Sequence, residues 1–305
     1  MQQRTLGASE LSVSRVCLGT MTFGTPVPPD LAVDLILGAA QLGVNFIDTA
    51  NMYEGYARVA GSSGGVAEEI VGEAITGRRD QFVVATKLGM KVGETEVDEF
   101  TSPAAIRTQL DRSLRRLGTD YVDLYYLHKP DPHTPDADIV AALGAELAGG
   151  RIRAWGVSNY GAAELAGLVA AADELGVARP AACQPRLNLL DTAALAELVP
   201  YCAGAGISVV PYQGLAGGLL TGKYRRGESA PAGTRGREKP DWVAPIDEEL
   251  QAKLDQIAAE AARAGLPMAS WALRWLAEQP GVDSVLVGAT RLSQVEAAIA
   301  ALGNH

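Results

Sequence analysis

Four side chains able to move a proton stand just past apolar runs. Asp48 closes Phe46-Ile47, Tyr53 follows five residues later, Lys87 closes Phe82-Val83-Val84-Ala85-Thr86, and His128 closes Leu124-Tyr125-Tyr126-Leu127. A phenol has a reference pKa of about 10 and is a poor acid at neutral pH, but a neighbouring ammonium favours the phenolate and lowers that value. Lys87 can supply the charge, Asp48 can keep Lys87 protonated and oriented, and His128 can point a carbonyl oxygen at Tyr53. The set predicts general acid catalysis on a carbonyl, typically worth a factor of about 100 to 10,000 in rate, with hydride delivered by another group. Taken singly, each residue also has a structural reading: a turn-capping Asp, a packing Tyr, an ion-paired Lys, a satisfied core His. Three ionisable groups ending three successive strands argue against four unrelated roles, because in a parallel α/β barrel those ends share one face.

Such a face needs a repeating strand-helix frame. Apolar runs predict strands over 15–19, 44–47, 82–86, 123–127, 152–157, 207–211 and 284–287, with another ending near Gln184. Helical spacing predicts helices over 30–42, 67–75, 103–117, 137–148, 162–175, 191–203, 247–264, 267–278 and 293–302. Asp30 and Asp191 are the expected N-caps of two of these, Leu31, Leu35, Ile36 and Ala39 the expected inner face of the first, and Ser102-Pro103 the clearest start. A short hairpin is expected around Gly7-Ala8-Ser9. Residues 214–245, rich in Gly, Pro and Arg, are far longer than an ordinary connection and predict a lid or binding loop after strand seven. The fold class is therefore α/β: a single (β/α)8 TIM barrel domain over residues 1–305. No G-x-G-x-x-G follows a strand, which argues against a dinucleotide-binding open sheet.

Composition narrows the function classes. Hydrophobic residues make up 48% and charged residues 20% of the chain, enough apolar material for a large core. A net charge of -10 has the wrong sign for steering nucleic acid or anionic lipid, so neither is an expected partner. Cys17, Cys183 and Cys202 are widely spaced in apolar segments and predict reduced core thiols. No targeting segment or run of about 18 apolar residues is found, so a cytoplasmic location is expected. With His128, His133 and His305 the only histidines, no pair has ligand spacing and no metal is expected. A Schiff-base aldolase would need Lys87 with a lowered pKa, which Asp48 opposes.

These residues carry a resemblance to the aldo-keto reductases over nearly the whole chain. Phe46-Ile47-Asp48-Thr49-Ala50 with Tyr53 and Ala67-Glu68-Glu69-Ile70-Val71-Gly72 resemble that family's first signature, and Leu114-Arg115-Arg116-Leu117-Gly118-Thr119-Asp120-Tyr121-Val122-Asp123-Leu124 leading to His128 resembles its second. Ile152-Arg153-Ala154-Trp155-Gly156-Val157-Ser158-Asn159, Asn188-Leu189-Leu190 and Leu219-Leu220-Thr221-Gly222-Lys223-Tyr224 continue the match. The resemblance implies a (β/α)8 barrel, a tetrad of Asp48, Tyr53, Lys87 and His128, and NADP(H) lying across the C-terminal face. It implies that Ser158, Asn159 and Gln184 hold the nicotinamide carboxamide and that Tyr212 stacks on the ring. Gly19, Thr20, Met21 and Asp48 would line the inner edge. Leu215, Gly217, Lys223 and Tyr224 would cover the pyrophosphate, and Gly288, Ala289, Thr290, Arg291 and Gln294 would grip the 2′-phosphate. The substrate side would be formed by Phe23, Tyr53, His128, Lys129 and Arg186. Some relatives in the resemblance are channel β subunits, so an NADP(H)-binding partner subunit is the alternative to a reductase.

The chain departs from the family pattern at four places. Lys129 stands where an aromatic residue often follows the histidine, Arg186 where many members carry an aromatic residue, Gln213-Gly214-Leu215 for Ser-Pro-Leu, and Ala297-Ala298 for the Glu-Asn pair that reads adenine. If Lys129 and Arg186 face the pocket, the small-molecule carbonyl would be bulky, polar and anionic, as a nucleotide-linked keto sugar is; the other expectation is that they pair with acids such as Asp131.

Overall fold

The computed structural model describes residues 2–59 and 61–303. It opens with an antiparallel hairpin, β1 (Gln3–Thr5) and β2 (Ser12–Ser14), then alternates strand and helix: β3 (Val16–Gly19), α1 (Pro29–Gln41), β4 (Phe46–Asp48), α2 (Val66–Ile75), β5 (Val83–Leu88), α3 (Pro103–Leu117), β6 (Val122–Leu127), α4 (Asp136–Ala148) and β7 (Ile152–Ser158). The second half adds α5 (Ala162–Leu175), β8 (Ala182–Gln184), α6 (Leu198–Ala205), β9 (Ser208–Val209), α7 (Arg235–Glu238), α8 (Glu248–Arg263), α9 (Met268–Ala277), β10 (Val285–Gly288) and α10 (Leu292–Leu302). The eight strands from β3 to β10 pair in parallel in the order β10-β3-β4-β5-β6-β7-β8-β9. The ring closes between β9 and β10, where Val209 donates to the Gly281 carbonyl at 2.8 Å and Leu286 donates to the Pro211 carbonyl at 3.1 Å. This is the (β/α)8 barrel expected.

Side chains alternate along each strand, so the sheet has two different faces. Cys17, Phe46, Val83, Ala85, Leu124, Tyr126, Ala154, Ala182 and Val210 pack together with Leu6, Leu11 and Val13 of the hairpin. Those strand residues fill the barrel, and the hairpin plugs its N-terminal end, tied to β9 by the Gly7 amide donating to Ser208 Oγ at 2.6 Å. Their chain neighbours Leu18, Ile47, Val84, Tyr125, Trp155, Cys183 and Val209 pack outward in the larger core with α1 to α6, α9 and α10. Gly156 is glycine for a steric reason: a Cβ there would lie 2.7 Å from the Tyr126 ring, which occupies the interior.

Helix starts show where local signals hold. Ser102 accepts from the Ala105 amide at 3.2 Å with Pro103 at the first helical position, and Gly118 ends α3 in the left-handed conformation at φ +61°. Two expected caps are corrected. Asp30 lies inside the first turn of α1, which Pro28 precedes without a side-chain cap, and Leu31 is 55% exposed while Ala32 takes its place inward. Asp191 receives the Arg186 guanidinium at 3.0 Å instead of capping a helix, and a 3₁₀ turn at Ala193–Leu195 delays α6 to Leu198. The three cysteines are free and buried. Among the described residues no helix is long and apolar enough to cross a membrane.

Candidate active site

The alternation that fills the barrel also builds the site. Stepping up each strand by two from an interior residue leads from Cys17 to Gly19, Phe46 to Asp48, Ala85 to Lys87, Tyr126 to His128, Gly156 to Ser158, Ala182 to Gln184, Val210 to Tyr212 and Leu286 to Gly288. The uppermost interior position of every strand is thus one of the residues singled out in the sequence. Register carries this across strands: Gly19 pairs Asp48, and Ser158 pairs Gln184.

Lys87 is fully buried, and its Nζ donates to Asp48 Oδ1 at 2.5 Å, to the Thr49 carbonyl at 2.9 Å and to the Tyr53 hydroxyl at 3.3 Å. Three acceptors match the three hydrogens of an ammonium. The Tyr53 ring stands edge-on to the His128 ring, with centroids 5.9 Å apart. Asn159, held at φ +64°, donates to the His128 carbonyl at 2.8 Å and accepts from the Tyr212 hydroxyl at 2.6 Å. The second carboxylate oxygen of Asp48 accepts from Gln184 Nε2 at 2.9 Å.

Burial sets the titration of these groups. It pushes the Tyr53 phenol up, and the charge of Asp48 adds to that; Lys87 pulls the phenol down by charge and hydrogen bond without reversing the direction. The sequence expectation had only the lowering by Lys87, so the net direction is a correction. Burial works to lower Lys87, but Asp48 and Tyr53 outweigh it and hold the amine above its usual value. Burial, then Lys87, Arg58 and Lys129, drive His128 well below the ordinary imidazole range. His128 is therefore neutral near pH 7, and its Nδ1 has no hydrogen-bond partner among the described residues.

Above this floor opens a cavity of about 740 Å³, within the usual range of roughly 300–1,000 Å³ for ligand pockets. Asp48, Tyr53, His128, Ser158, Asn159, Gln184 and Tyr212 line it, together with Lys223, Gly288, Thr290, Arg291 and Gln294. Gly19, Met21, Leu215, Gly217 and Lys129 also line it. Lys223 and Arg291 form no ion pair among the described residues, so two cations without an acidic partner there face the cavity. A cavity of this size lined by amide and hydroxyl groups and by cations fits a dinucleotide with phosphates. Ser158, Asn159 and Gln184 could hold its carboxamide, and Lys223 and Arg291 its phosphates.

Five expected residues lie elsewhere. Phe23 is fully buried in the outer core and does not reach the cavity. Thr20 is buried, its hydroxyl bound to the Asp48 carbonyl at 3.1 Å, and Ala289 is likewise in the core. Tyr224 turns under the long loop, where its hydroxyl accepts from the Gly236 amide at 2.9 Å. Arg186 is half exposed outside the cavity on Asp191. Lys129 does line the cavity, but its Nζ pairs with Glu99 at 2.7 Å and lies 4.3 Å from the centre of the Phe100 ring. Asp131, its expected partner, instead accepts from the Thr101, His133 and Thr134 amides.

Sequence reasoning missed the roof and side wall. Met52, Tyr56, Met90, Arg235 and Glu238 all line the cavity. The long loop crosses it: Arg235 Nε donates to the Tyr56 hydroxyl at 3.4 Å, and Trp242 meets the Tyr56 ring edge-on at 5.4 Å. The length of 214–245 announced a lid, but nothing local marked which side chains would reach across.

Ionisable groups gathered at the C-terminal ends of a closed parallel barrel are the arrangement in which enzymes of this fold carry their active sites. The family model described as Aldo/keto reductase family matches residues 15–304, and the chain belongs to that family. It is 34% identical, over 97% of its length and 89% of the relative's, to a protein named "Probable voltage-gated potassium channel subunit beta" from Oryza sativa subsp. japonica. It is 33% identical to the "NADH-specific methylglyoxal reductase" of Escherichia coli (strain K12), over 99% of this chain and 94% of that one. It is 31% identical to "Aldo-keto reductase YhdN" of Bacillus subtilis (strain 168), over 97% and 87%.

Proposed function

We propose that the protein reduces an aldehyde or ketone to an alcohol, with NADPH as hydride donor and Tyr53 as the general acid. The observation that carries this reading is the contact of Tyr53, Lys87 and Asp48 at the floor of a cavity that neutral His128 also lines. Reduced nicotinamide, when bound, supplies the hydride. The chain's own residues do the rest. Neutral His128 donates a hydrogen bond that sets the carbonyl oxygen beside Tyr53. Tyr53 gives that oxygen its proton, and burial keeps the phenol protonated until then. The Lys87 ammonium stabilises the phenolate left behind, and Asp48 keeps Lys87 charged. Met52, Tyr56 and Met90 exclude water from the mouth.

Arg291 carries the preference for the phosphorylated dinucleotide in this reading, because a guanidinium with no ion pair among the described residues suits a phosphate. The Escherichia coli relative is named for NADH, so the preference has to be measured on this chain. The experiment is NADPH oxidation over a panel of carbonyls with wild type and Tyr53→Phe. The variant should bind NADPH with unchanged fluorescence quenching and lose kcat by at least a hundredfold. Full activity in the variant would end the reading.

A second reading rests on the rice relative: a dinucleotide-binding subunit for a membrane protein. It expects tight NADPH binding with negligible turnover on every carbonyl tested.

A further inference from the structure

One hydrogen bond of the site crosses the barrel mouth. β4 and β8 stand opposite each other in the ring of eight strands, and Gln184 Nε2 at the end of β8 donates to Asp48 Oδ2 at the end of β4 at 2.9 Å. Both residues are almost fully buried. Asp48 therefore has one oxygen on Lys87 and the other on Gln184. On its far side Gln184 meets Ser158, whose hydroxyl donates to the Gln184 carbonyl at 3.0 Å and lies 3.4 Å from Oε1. The path Ser158, Gln184, Asp48, Lys87, Tyr53 is continuous.

An amide nitrogen carries two hydrogens, and only one is used on Asp48. The other, with Oε1, remains for a ligand amide. We propose that Gln184 is a positioning residue that joins the carboxamide end of the cavity to the proton donor, by holding the second oxygen of Asp48 and limiting the negative charge that Asp48 exerts on Lys87 and Tyr53. The carboxamide half of this statement rests on the proposed function; the Asp48 half does not.

The direction of the effect follows from charge. An N–H donor favours a carboxylate's charged form and spreads its charge. Without it, the whole carboxylate charge acts on Lys87 and Tyr53, and both become harder to deprotonate. Cys17 from β3, Lys87 from β5, Tyr126 and His128 from β6 and Tyr212 beyond β9 are the other titratable groups facing Asp48 or Tyr53. Gln184 itself lowers the Tyr126 phenol by a hydrogen bond, so Tyr126 also moves when Gln184 is replaced, and the Tyr53 signal has to be read against a blank that carries the same Gln184 substitution.

The test is a phenolate titration of the cofactor-free protein by near-ultraviolet difference absorbance. The chain has nine tyrosines, so each Gln184 background needs its own Tyr53→Phe blank. Gln184→Leu and Gln184→Met both fill the space and lack the donor; the second serves if the first does not fold. Tyr53 should titrate higher in both, by roughly a pH unit, the scale that hydrogen bonds and nearby charges impose on buried groups. NADPH binding, followed by fluorescence, should weaken in the same variants. An unchanged Tyr53 midpoint with weakened NADPH would make Gln184 a cofactor contact alone and overturn the proposal. Wild type that binds no dinucleotide would remove the carboxamide half and the proposed function together, while a raised midpoint would still uphold the link to Asp48.

Discussion

Replacing Lys87 by Met should damage stability and activity together, and the two losses have different origins. Lys87 is fully buried and Asp48 is 1% exposed, so the substitution leaves a nearly buried carboxylate without its cation. Removing one partner of a buried pair costs about 3–5 kcal/mol. Gln184 still donates to Asp48, which puts the expectation toward about 3 kcal/mol, a large part of the roughly 5–15 kcal/mol by which proteins are folded. Urea unfolding at neutral pH measures it. Lys87→Met with Asp48→Asn should recover most of the loss, because no charge is then stranded, while activity stays low. The amine is held above its ordinary value when folded, so its stabilising contribution is complete below about pH 10.5 and is lost as pH rises through the folded value. Wild type should therefore lose stability on the alkaline side more steeply than the variant. A cost below about 1 kcal/mol for Lys87→Met, or a double variant no more stable than the single, would refute the account of a stranded charge.

Other outcomes are expected at the remaining groups. His128 titrates well below its unfolded value, so stability should fall as pH drops below about 6.5, and His128→Asn should flatten that acid slope in unfolding experiments at matched pH. Arg291→Ala should weaken NADPH by roughly tenfold or more, the loss of one charge-assisted hydrogen bond of about 1.5–3 kcal/mol, and leave NADH nearly unchanged; equal losses would place the phosphate elsewhere. Because Glu99 matches the charge of Lys129, Lys129→Ala should change KM for anionic carbonyls by less than tenfold, whereas Glu99→Gln should lower that KM by freeing the cation. A tenfold rise with Lys129→Ala would show that the pair opens for substrate.

The order of strands and helices was legible because each unit carries its own period and punctuation, as Ser102, Pro103 and Gly118 do around α3. Asp48, Lys87 and His128 were legible because they end apolar runs, and period two then sends each inward at the top of its strand. What misled was chemistry that depends on distant neighbours. Asp30 and Asp191 are good capping residues by type, yet Pro28 already starts α1 and Arg186 draws Asp191 away. Phe23 had no local mark to tell a pocket wall from the core that encloses it.

The sequence by itself determined the barrel and which ionisable groups meet at its mouth, since those follow from local periodicity and strand ends, and its signature motifs carried the family resemblance. Only the tertiary structure decided how they act on one another. Burial reverses the expected net direction for Tyr53 and keeps His128 neutral, Glu99 answers Lys129, and Arg235 reaches Tyr56 across the cavity. The link from Gln184 to Asp48 joins residues 136 positions apart on opposite strands. Desolvation and long-range pairing depend on what the fold packs around a group, and no stretch of neighbouring residues encodes that.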